Sequence, residues 1–169
     1  MKIVYGFTET RFGDIIVART WDGICDLQFL SYNRMDVIHE LAARWGMYTE
    51  TTQDDTMAET VGRVLFEGYQ HELKLDVWGT DFQKKVWTEL RKIPFGSTVS
   101  YSDVAAAIGE PAAVRSVATA IAQNPVAVLI PCHRVVHKDG SVGNYHWGPT
   151  LKQQLINWEK DELARRKLP

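Results

Sequence analysis

Between Thr80 and Asn124 the chain carries helix starts and stops so closely spaced that only short helices joined by tight turns can satisfy them. Thr80, with Gln83 three residues on, makes a capping box, and Phe82, Val86, Trp87 and Leu90 follow at helical spacing. Pro94 and Gly96 end that helix. Ser100 with Asp103 opens a second, alanine-rich helix through Ile108; Gly109 is placed to close it, and Pro111 fits the first turn of a third. Helix, glycine turn and helix is the order of a helix-turn-helix, whose second helix meets nucleic acid, and equally that of a plain helical hairpin.

The third helix narrows the choice. Its apolar stripe is Val114, Val117, Ala118 and Ile121, while Ala112, Arg115, Ser116, Thr119, Ala122 and Gln123 form the remaining surface. That surface is short of bulk, so the helix backbone could approach a groove closely with a single long side chain, Arg115, projecting. Small residues packed on another helix, with Arg115 merely solvated, account for the same pattern.

The first half reads differently. Ile3–Tyr5, Asp14–Ala18 and Gly23–Leu30 are strand-like runs separated by Gly13 and the Asp22-Gly23 turn signal, which predicts an antiparallel meander. Two helical patterns follow, through Val37, Leu41, Ala42 and Trp45 and through Val61, Val64, Leu65 and Tyr69; the polar stretch Thr49–Asp55 between them reads as a loop. With 169 residues and 45% hydrophobic content the chain can bury a core as one domain or two small ones. Residues 1–81 hold 7 Lys+Arg against 14 Asp+Glu and residues 82–169 hold 12 against 7, a polarity suited to meeting a polyanion with one face and also found on ordinary solvated surfaces. No stretch approaches the roughly 20 apolar residues of a membrane span, and Met1–Thr10 lacks a signal-peptide pattern, so we expect a cytoplasmic protein, or a nuclear one in a eukaryote, with both Cys25 and Cys132 free.

Cys132 is the candidate nucleophile. It lies in Pro131-Cys132-His133-Arg134-Val135, entered from the apolar run Val126–Ile130, which reads as a buried strand. An imidazole and a guanidinium beside the thiol would favour its reactive thiolate. Neighbours in an extended chain point to opposite faces, so Cys132 and His133 would need a water or a local turn to work together. Downstream, Pro149 marks a helix start, and Leu151, Leu155 and Glu159 share one face, so an acid continues an apolar stripe. Such a carboxylate is costly to bury unpaired, and His133 is a candidate partner; simple exposure at the stripe's edge is the alternative.

Taken in order, Ser100-Tyr101, Ala113-Val114-Arg115, Asn124-Pro125, Ile130–Val136 and Gly143-Asn144-Tyr145-His146-Trp147-Gly148 resemble the O6-alkylguanine-DNA alkyltransferases, most closely the bacterial Ogt and Ada C-terminal type. The resemblance is specific over residues 79–160 and looser over residues 1–78. It implies a ribonuclease-H-like α/β domain over residues 1–78, with an antiparallel sheet plus helices, and a mostly helical DNA-binding and alkyl-acceptor domain over residues 79–169 with a winged helix-turn-helix. It implies direct reversal of DNA damage: Cys132 takes the alkyl group from O6 of guanine, or O4 of thymine, in double-stranded DNA, and the protein is consumed. His133 would be the base acting through a water, and Glu159 the acid that orients it. Tyr101 would assist nucleotide flipping and donate a proton toward N3. Arg115 would fill the place of the extruded base from the minor groove, and Asn124 would tie the helix turn to the cysteine segment. Ser102, Ser116 and Lys138 are further candidate DNA contacts, and Tyr145, His146, Trp147, Val135 and Arg134 candidate pocket residues. Gly143 and Gly148 would let the pocket loop turn tightly. Trp147 replaces a small residue of vertebrate members and predicts a narrow pocket that takes methyl well and O6-benzylguanine poorly.

Other residues read more plainly. Cys25 lies in an apolar strand and suits a small core residue. His39 and His71 lack the paired spacing of a zinc site, Cys132 has no CxxC partner, and no metal or cofactor is required. A monomer is expected. Three rivals remain: a lesion binder, which would lack the thiol; a gene regulator, which would need base-reading side chains in place of Ala112, Ser116, Thr119 and Ala122; and a cysteine hydrolase, for which no oxyanion-hole signature is present.

Overall fold

The computed structural model describes residues 2–30, 34–46 and 50–168. The chain divides into two compact units, Met1–Trp78 with Pro125–Ala127, and Gly79–Asn124 with Val128–Pro169.

The first unit is α/β. Strands β1 (Lys2–Thr8), β2 (Ile15–Arg19) and β3 (Ile24–Phe29) form the expected antiparallel meander, with Gly6 opposite Val17 and Val17 opposite Leu27. Helix α1 (Arg34–Trp45) contributes Leu41 and Trp45 to a core with Ile3, Ile16, Ala18, Cys25 and Leu30, whereas Ala42 of its predicted face is exposed. Trp45 also donates from Nε1 to buried Asp26 at 2.7 Å, and Arg44 pairs with the same carboxylate. The polar stretch expected as a loop is instead a strand: β4 (Glu50–Gln53) runs parallel to β1 and completes a sheet of order β3-β2-β1-β4. All four of its residues are exposed, so its backbone pairing carries no apolar signature that a sequence could show. Thr49 lies outside the described residues. Asp54 then caps α2 (Asp55–Phe66), accepting from the Met57 N–H at 3.2 Å, and α2 packs on β1 and β2. This helix stops before Tyr69, which was placed on it by spacing; Tyr69 is exposed and stacks on His71. The free edge of β3 is covered twice, by Leu75 at Ile24 and by Val126 at Leu27, both in parallel bridges.

The second unit is mostly helical. Helix α3 (Asp81–Leu90) starts at the Thr80/Gln83 capping box, and α4 (Tyr101–Ala107) at the Ser100/Asp103 box, each with both reciprocal bonds formed. Gly109, at φ +77°, makes the left-handed closure after α4. Helix α5 (Val114–Ala122) begins later than Pro111 suggested. Residues 110–113 make a turn closed by the Ala113 N–H to the Glu110 carbonyl at 2.9 Å, and Ala113 caps α5 without a side-chain bond. Val117, Ala120 and Ile121 are buried, while Ala112, Arg115, Ser116, Thr119, Ala122 and Gln123 are exposed as their positions required. Trp87 of α3 is buried and donates from Nε1 to the Ala120 carbonyl at 2.8 Å, which fixes the roll of α5 about its axis. Short strands β5 (Val99–Ser100) and β6 (Val135–Val136) pair in parallel, and α6 (Pro149–Arg166) returns its Leu151, Leu155 and Glu159 face to the interior.

Candidate active site

The apolar run before the cysteine is not a strand. Val126 forms an isolated bridge to Leu27, and Val128, a β-branched residue at φ +68°, breaks any extended continuation. Pro131 then sits at φ −80°, ψ 62° with the Cys132 N–H reaching the Ile130 carbonyl at 2.7 Å, an inverse γ-turn, and Cys132–Arg134 forms one turn of 3₁₀ helix. A local turn was one of the two arrangements the sequence allowed. It places Cys132 and His133 in the interior with 4% and 0% exposure.

Asn124, just past α5, holds the turn. Its Nδ2 donates to the Ile130 carbonyl at 2.7 Å and lies 3.2 Å from the Cys132 Sγ. Burial pushes the Cys132 thiol up to about 11, against the Asn124 hydrogen bond and the Lys152 charge, which act the other way. Burial thus works against the thiolate that the neighbouring cations were expected to favour. The guanidinium among those cations points elsewhere. Arg134 donates from Nε to both Glu159 oxygens at 2.7 and 2.9 Å and from Nη1 to the Ile93 carbonyl at 2.8 Å.

Glu159, 2% exposed, also receives His133, whose Nε2 lies 3.0 and 3.1 Å from its two oxygens. Burial pushes the Glu159 carboxyl up, but the hydrogen bonds and charges of His133 and Arg134 outweigh it and hold the group below the ordinary glutamate value. Burial likewise lowers His133, and the Glu159 hydrogen bond and charge only partly offset it. A carboxylate can only accept, so the neutral imidazole carries its proton on Nε2 and leaves Nδ1 as a base. That Nδ1 is buried and, among the described residues, has no hydrogen-bond partner. The triad can accept one proton at Nδ1 and stabilise the resulting imidazolium against Glu159.

Cys132 opens on a cavity of about 500 Å³. One wall is α5, through Val114, Arg115, Ala118 and Ala122; the others bring Tyr101, His137, Tyr145 and His146. The Tyr145 hydroxyl is buried and, among the described residues, has no hydrogen-bond partner. Gly143, at φ +74°, permits a close approach: a Cβ there would lie 2.7 Å from the His137 Nε2 and 3.4 Å from the Tyr101 hydroxyl. Of the sequence candidates, Tyr101, Arg115, Cys132, Tyr145 and His146 meet at this cavity, and Asn124 reaches it through the thiol. Arg134 does not line it, for the reason given, and Val135 is buried in β6 opposite Val99. Trp147 is buried behind the wall, with its ring edge-on to Tyr145 and His146 at 5.1 and 4.8 Å. Ser102 lies in the first turn of α4, Ser116 on the exposed face of α5, and Lys138 in the turn after β6; none of them lines the cavity.

Two residues escaped the sequence reading. His137 lines the cavity with its ring 5.2 Å from that of Tyr101. Lys152, 1% exposed, donates to the Tyr101 hydroxyl at 3.4 Å and to the Asn144 carbonyl at 3.2 Å. Its signal was available, since Lys152 lies next to Leu151 and seven residues before Glu159 on the helix face already judged buried. Among the described residues no three His, Cys, Asp or Glu side chains converge as a metal cluster, and no helix is long and apolar enough to cross a membrane.

A buried thiol over a cavity, with a carboxylate-backed imidazole beside it, is the arrangement a thiol nucleophile with its own base requires. Residues 81–161 match the family model described as the 6-O-methylguanine DNA methyltransferase DNA binding domain. The chain is 36% identical to the methylated-DNA–protein-cysteine methyltransferase of Methanosarcina barkeri over 94% of its own length and 98% of that protein's. It is 38% identical to the bifunctional transcriptional activator/DNA repair enzyme Ada of Escherichia coli over 98% of its own length, and spans 48% of the length of Ada. Among solved structures, Mycobacterium tuberculosis OGT in complex with DNA superposes with a TM-score of 0.76 at 29% identity, over 94% of this chain and 93% of that one. The chain belongs to the methylated-DNA–protein-cysteine methyltransferase family.

Proposed function

We infer that this protein repairs DNA by direct reversal, transferring a methyl or small alkyl group from O6 of guanine, and with O4 of thymine as a second candidate, to Cys132 in one irreversible step. The observation that carries the reading is the Cys132 thiol opening on the cavity while the adjacent His133–Glu159 pair presents a buried, unpartnered Nδ1. A target atom inside a stacked duplex is out of reach of a buried thiol, so the nucleotide must rotate into the cavity. Arg115, exposed at the α5 wall, is placed to enter the stack from the minor groove, and the small residues around it let the helix approach closely. Ser102, Ser116 and Lys138 are assigned to the phosphate backbone, where contacts position without reading sequence. Val135 and Arg134 act at a distance, as the frame of the cysteine turn.

In the chemical step a water relays the Cys132 proton to His133 Nδ1, and the imidazolium is held by Glu159. The thiolate attacks the alkyl carbon opposite O6, the C–O6 bond breaks, and Tyr101 donates to N3 as negative charge develops on the guanine. The S–C bond is stable, and on this reading each protein acts once and without a cofactor. Action as a monomer is part of this reading. The second unit is read as a winged helix-turn-helix with α4 and α5 as its two helices, and the first as a ribonuclease-H-like domain. Cytoplasmic or nuclear residence follows from the substrate.

Titrating the protein with a duplex containing O6-methylguanine tests this: methyl lost from DNA should plateau at one per protein. Continued turnover, or tight binding with no loss of methyl, would overturn it. The pocket makes a second prediction. Trp147 supports Tyr145 and His146 from behind, so Trp147→Gly should let that wall yield and raise the rate of inactivation by O6-benzylguanine about tenfold or more, an energy comparable to one or two methylenes of pocket space. Wild-type protein inactivated by O6-benzylguanine as readily as by methylated DNA would contradict it.

A further inference from the structure

Lys152 is a buried ammonium held by two neutral acceptors, the Tyr101 hydroxyl and the Asn144 carbonyl. Among the described residues no carboxylate lies within ion-pairing distance of it, since Glu159 on the same helix is engaged by His133 and Arg134. An ammonium taken out of water without a counter-ion is costly, and a methionine or leucine would continue the Leu151/Leu155 stripe at no such cost. The side chain instead reaches along the apolar interior to place Nζ 5.6 Å from the centre of the Tyr101 ring, with its N–H directed at the phenol oxygen. Tyr101 in turn lines the cavity that Cys132 opens on. A proton donor thus stands directly behind the residue assigned to donate toward the guanine.

Resting on the alkyl-transfer reading, we propose that Lys152 is the proton source behind Tyr101: as the Tyr101 O–H passes its proton to N3 of the departing guanine, Lys152 passes one of its own to the Tyr101 oxygen. The step balances. The Cys132 sulfur bonds to the alkyl carbon, the C–O6 electron pair stays with the guanine, the thiol proton ends on His133, and the Lys152 proton reaches the guanine through Tyr101. Lys152 ends neutral and His133 ends cationic, so the site's net charge is unchanged. Tyr101 alone would be left as a half-buried phenolate, which its environment disfavours: burial, and then the nearby Cys132, raise its pKa. Burial brings Lys152 down to about 8, with the Cys132 charge acting upward, so it is protonated at neutral pH and close to releasing its proton. The titratable groups that face it are Tyr101 from α4 and Cys132 and His133 from the cysteine turn. Because Lys152 acts through Tyr101 it is a positioning residue, and its signature lies in pH dependence.

The test is the single-turnover rate of methyl transfer from a duplex containing O6-methylguanine, measured between about pH 6 and 9.5, with duplex affinity and melting temperature measured alongside. In the wild type the rate should fall above pH about 8 as Lys152 loses its proton. Lys152→Met should be slower by about 100-fold at neutral pH, in the range of one general-acid contribution, with no alkaline fall and with affinity unchanged within about threefold. Lys152→Arg keeps the charge but not a releasable proton, and should also be slow, without the alkaline fall. In a Tyr101→Phe background Lys152→Met should add less than about threefold, because the relay is already broken. Equal rates and equal alkaline falls in wild type and Lys152→Met, or full additivity with Tyr101→Phe, would overturn the relay. Should Lys152→Met fail to fold, Lys152→Arg decides: a wild-type rate with a wild-type alkaline fall overturns it. A wild-type protein that removes no methyl overturns the transfer reading itself, whereas transfer indifferent to Lys152 overturns only the relay.

Discussion

Replacing Glu159 with alanine is expected to destabilise the protein by about 3–5 kcal/mol and to slow methyl transfer by about 100-fold or more, the largest combined effect of any substitution in the site. The stability loss has a specific origin. Glu159 receives a fully buried donor, His133 Nε2 at 3.0 Å, and a part-buried one, Arg134 Nε at 2.7 Å, and alanine leaves the first without a partner away from water and the second without its anion. Arg134 keeps its bond to the Ile93 carbonyl and its place over the Phe95 ring but loses its anion, so its charge is left uncompensated beside the cysteine turn. The rate loss follows separately, because the imidazolium formed when His133 takes the thiol proton has no anion to hold it. Glu159→Gln separates the two effects: its amide oxygen still accepts, so stability should recover by more than half while the rate remains low. Urea unfolding and single-turnover rates on the two variants check this. Equal rates in Glu159→Gln and wild type would remove the carboxylate from the mechanism. The sign with pH is fixed as well. Glu159 is held below the ordinary glutamate value, so its stabilisation is complete above that range and is lost as pH falls through the depressed value.

Arg115→Ala should act in the opposite way, on function with little effect on stability. Arg115 is exposed and makes no contribution to the buried face of α5, where Val117, Ala120 and Ile121 pack. If the guanidinium fills the space of a rotated nucleotide, its loss leaves a few kcal/mol of unstacking unopposed. Taking about 2 kcal/mol of that as the arginine's share, repair of O6-methylguanine in a duplex should slow by about 30-fold. Reaction with the free base O6-benzylguanine, which needs no flipping, should change by less than about twofold. A variant impaired equally on both would place Arg115 in the chemistry or the packing, and one impaired on neither would remove it from DNA engagement.

The parts of this molecule that were legible in its sequence share one property: their signal is local. The Thr80/Gln83 and Ser100/Asp103 boxes place α3 and α4 to the residue because a capping bond spans three positions. Glu159 was legible because a carboxylate in an apolar stripe needs a partner, and His133 proved to be one. What the sequence hid depends on long-range pairing. β4 is wholly exposed and exists by hydrogen bonds to β1, from which it is separated by two strands and a helix. Arg134 looked like a neighbour of the thiol because it is close in sequence, yet the 3₁₀ turn sends it to Glu159 and Ile93 instead. Sequence proximity to cations likewise says nothing of the burial that pushes the Cys132 thiol up to about 11. Lys152 was masked by its type, because lysine on a helix reads as solvent-facing, although its place on the face of Leu151 and Glu159 pointed inward.

The central claim is that Cys132 itself is the acceptor. The most direct measurement is intact mass followed by peptide mapping after incubation with a duplex containing O6-methylguanine. One methyl per chain is predicted, located on the peptide bearing Cys132 and absent in Cys132→Ala. A methyl on Cys25, or none on a protein that still binds the duplex, would contradict the account.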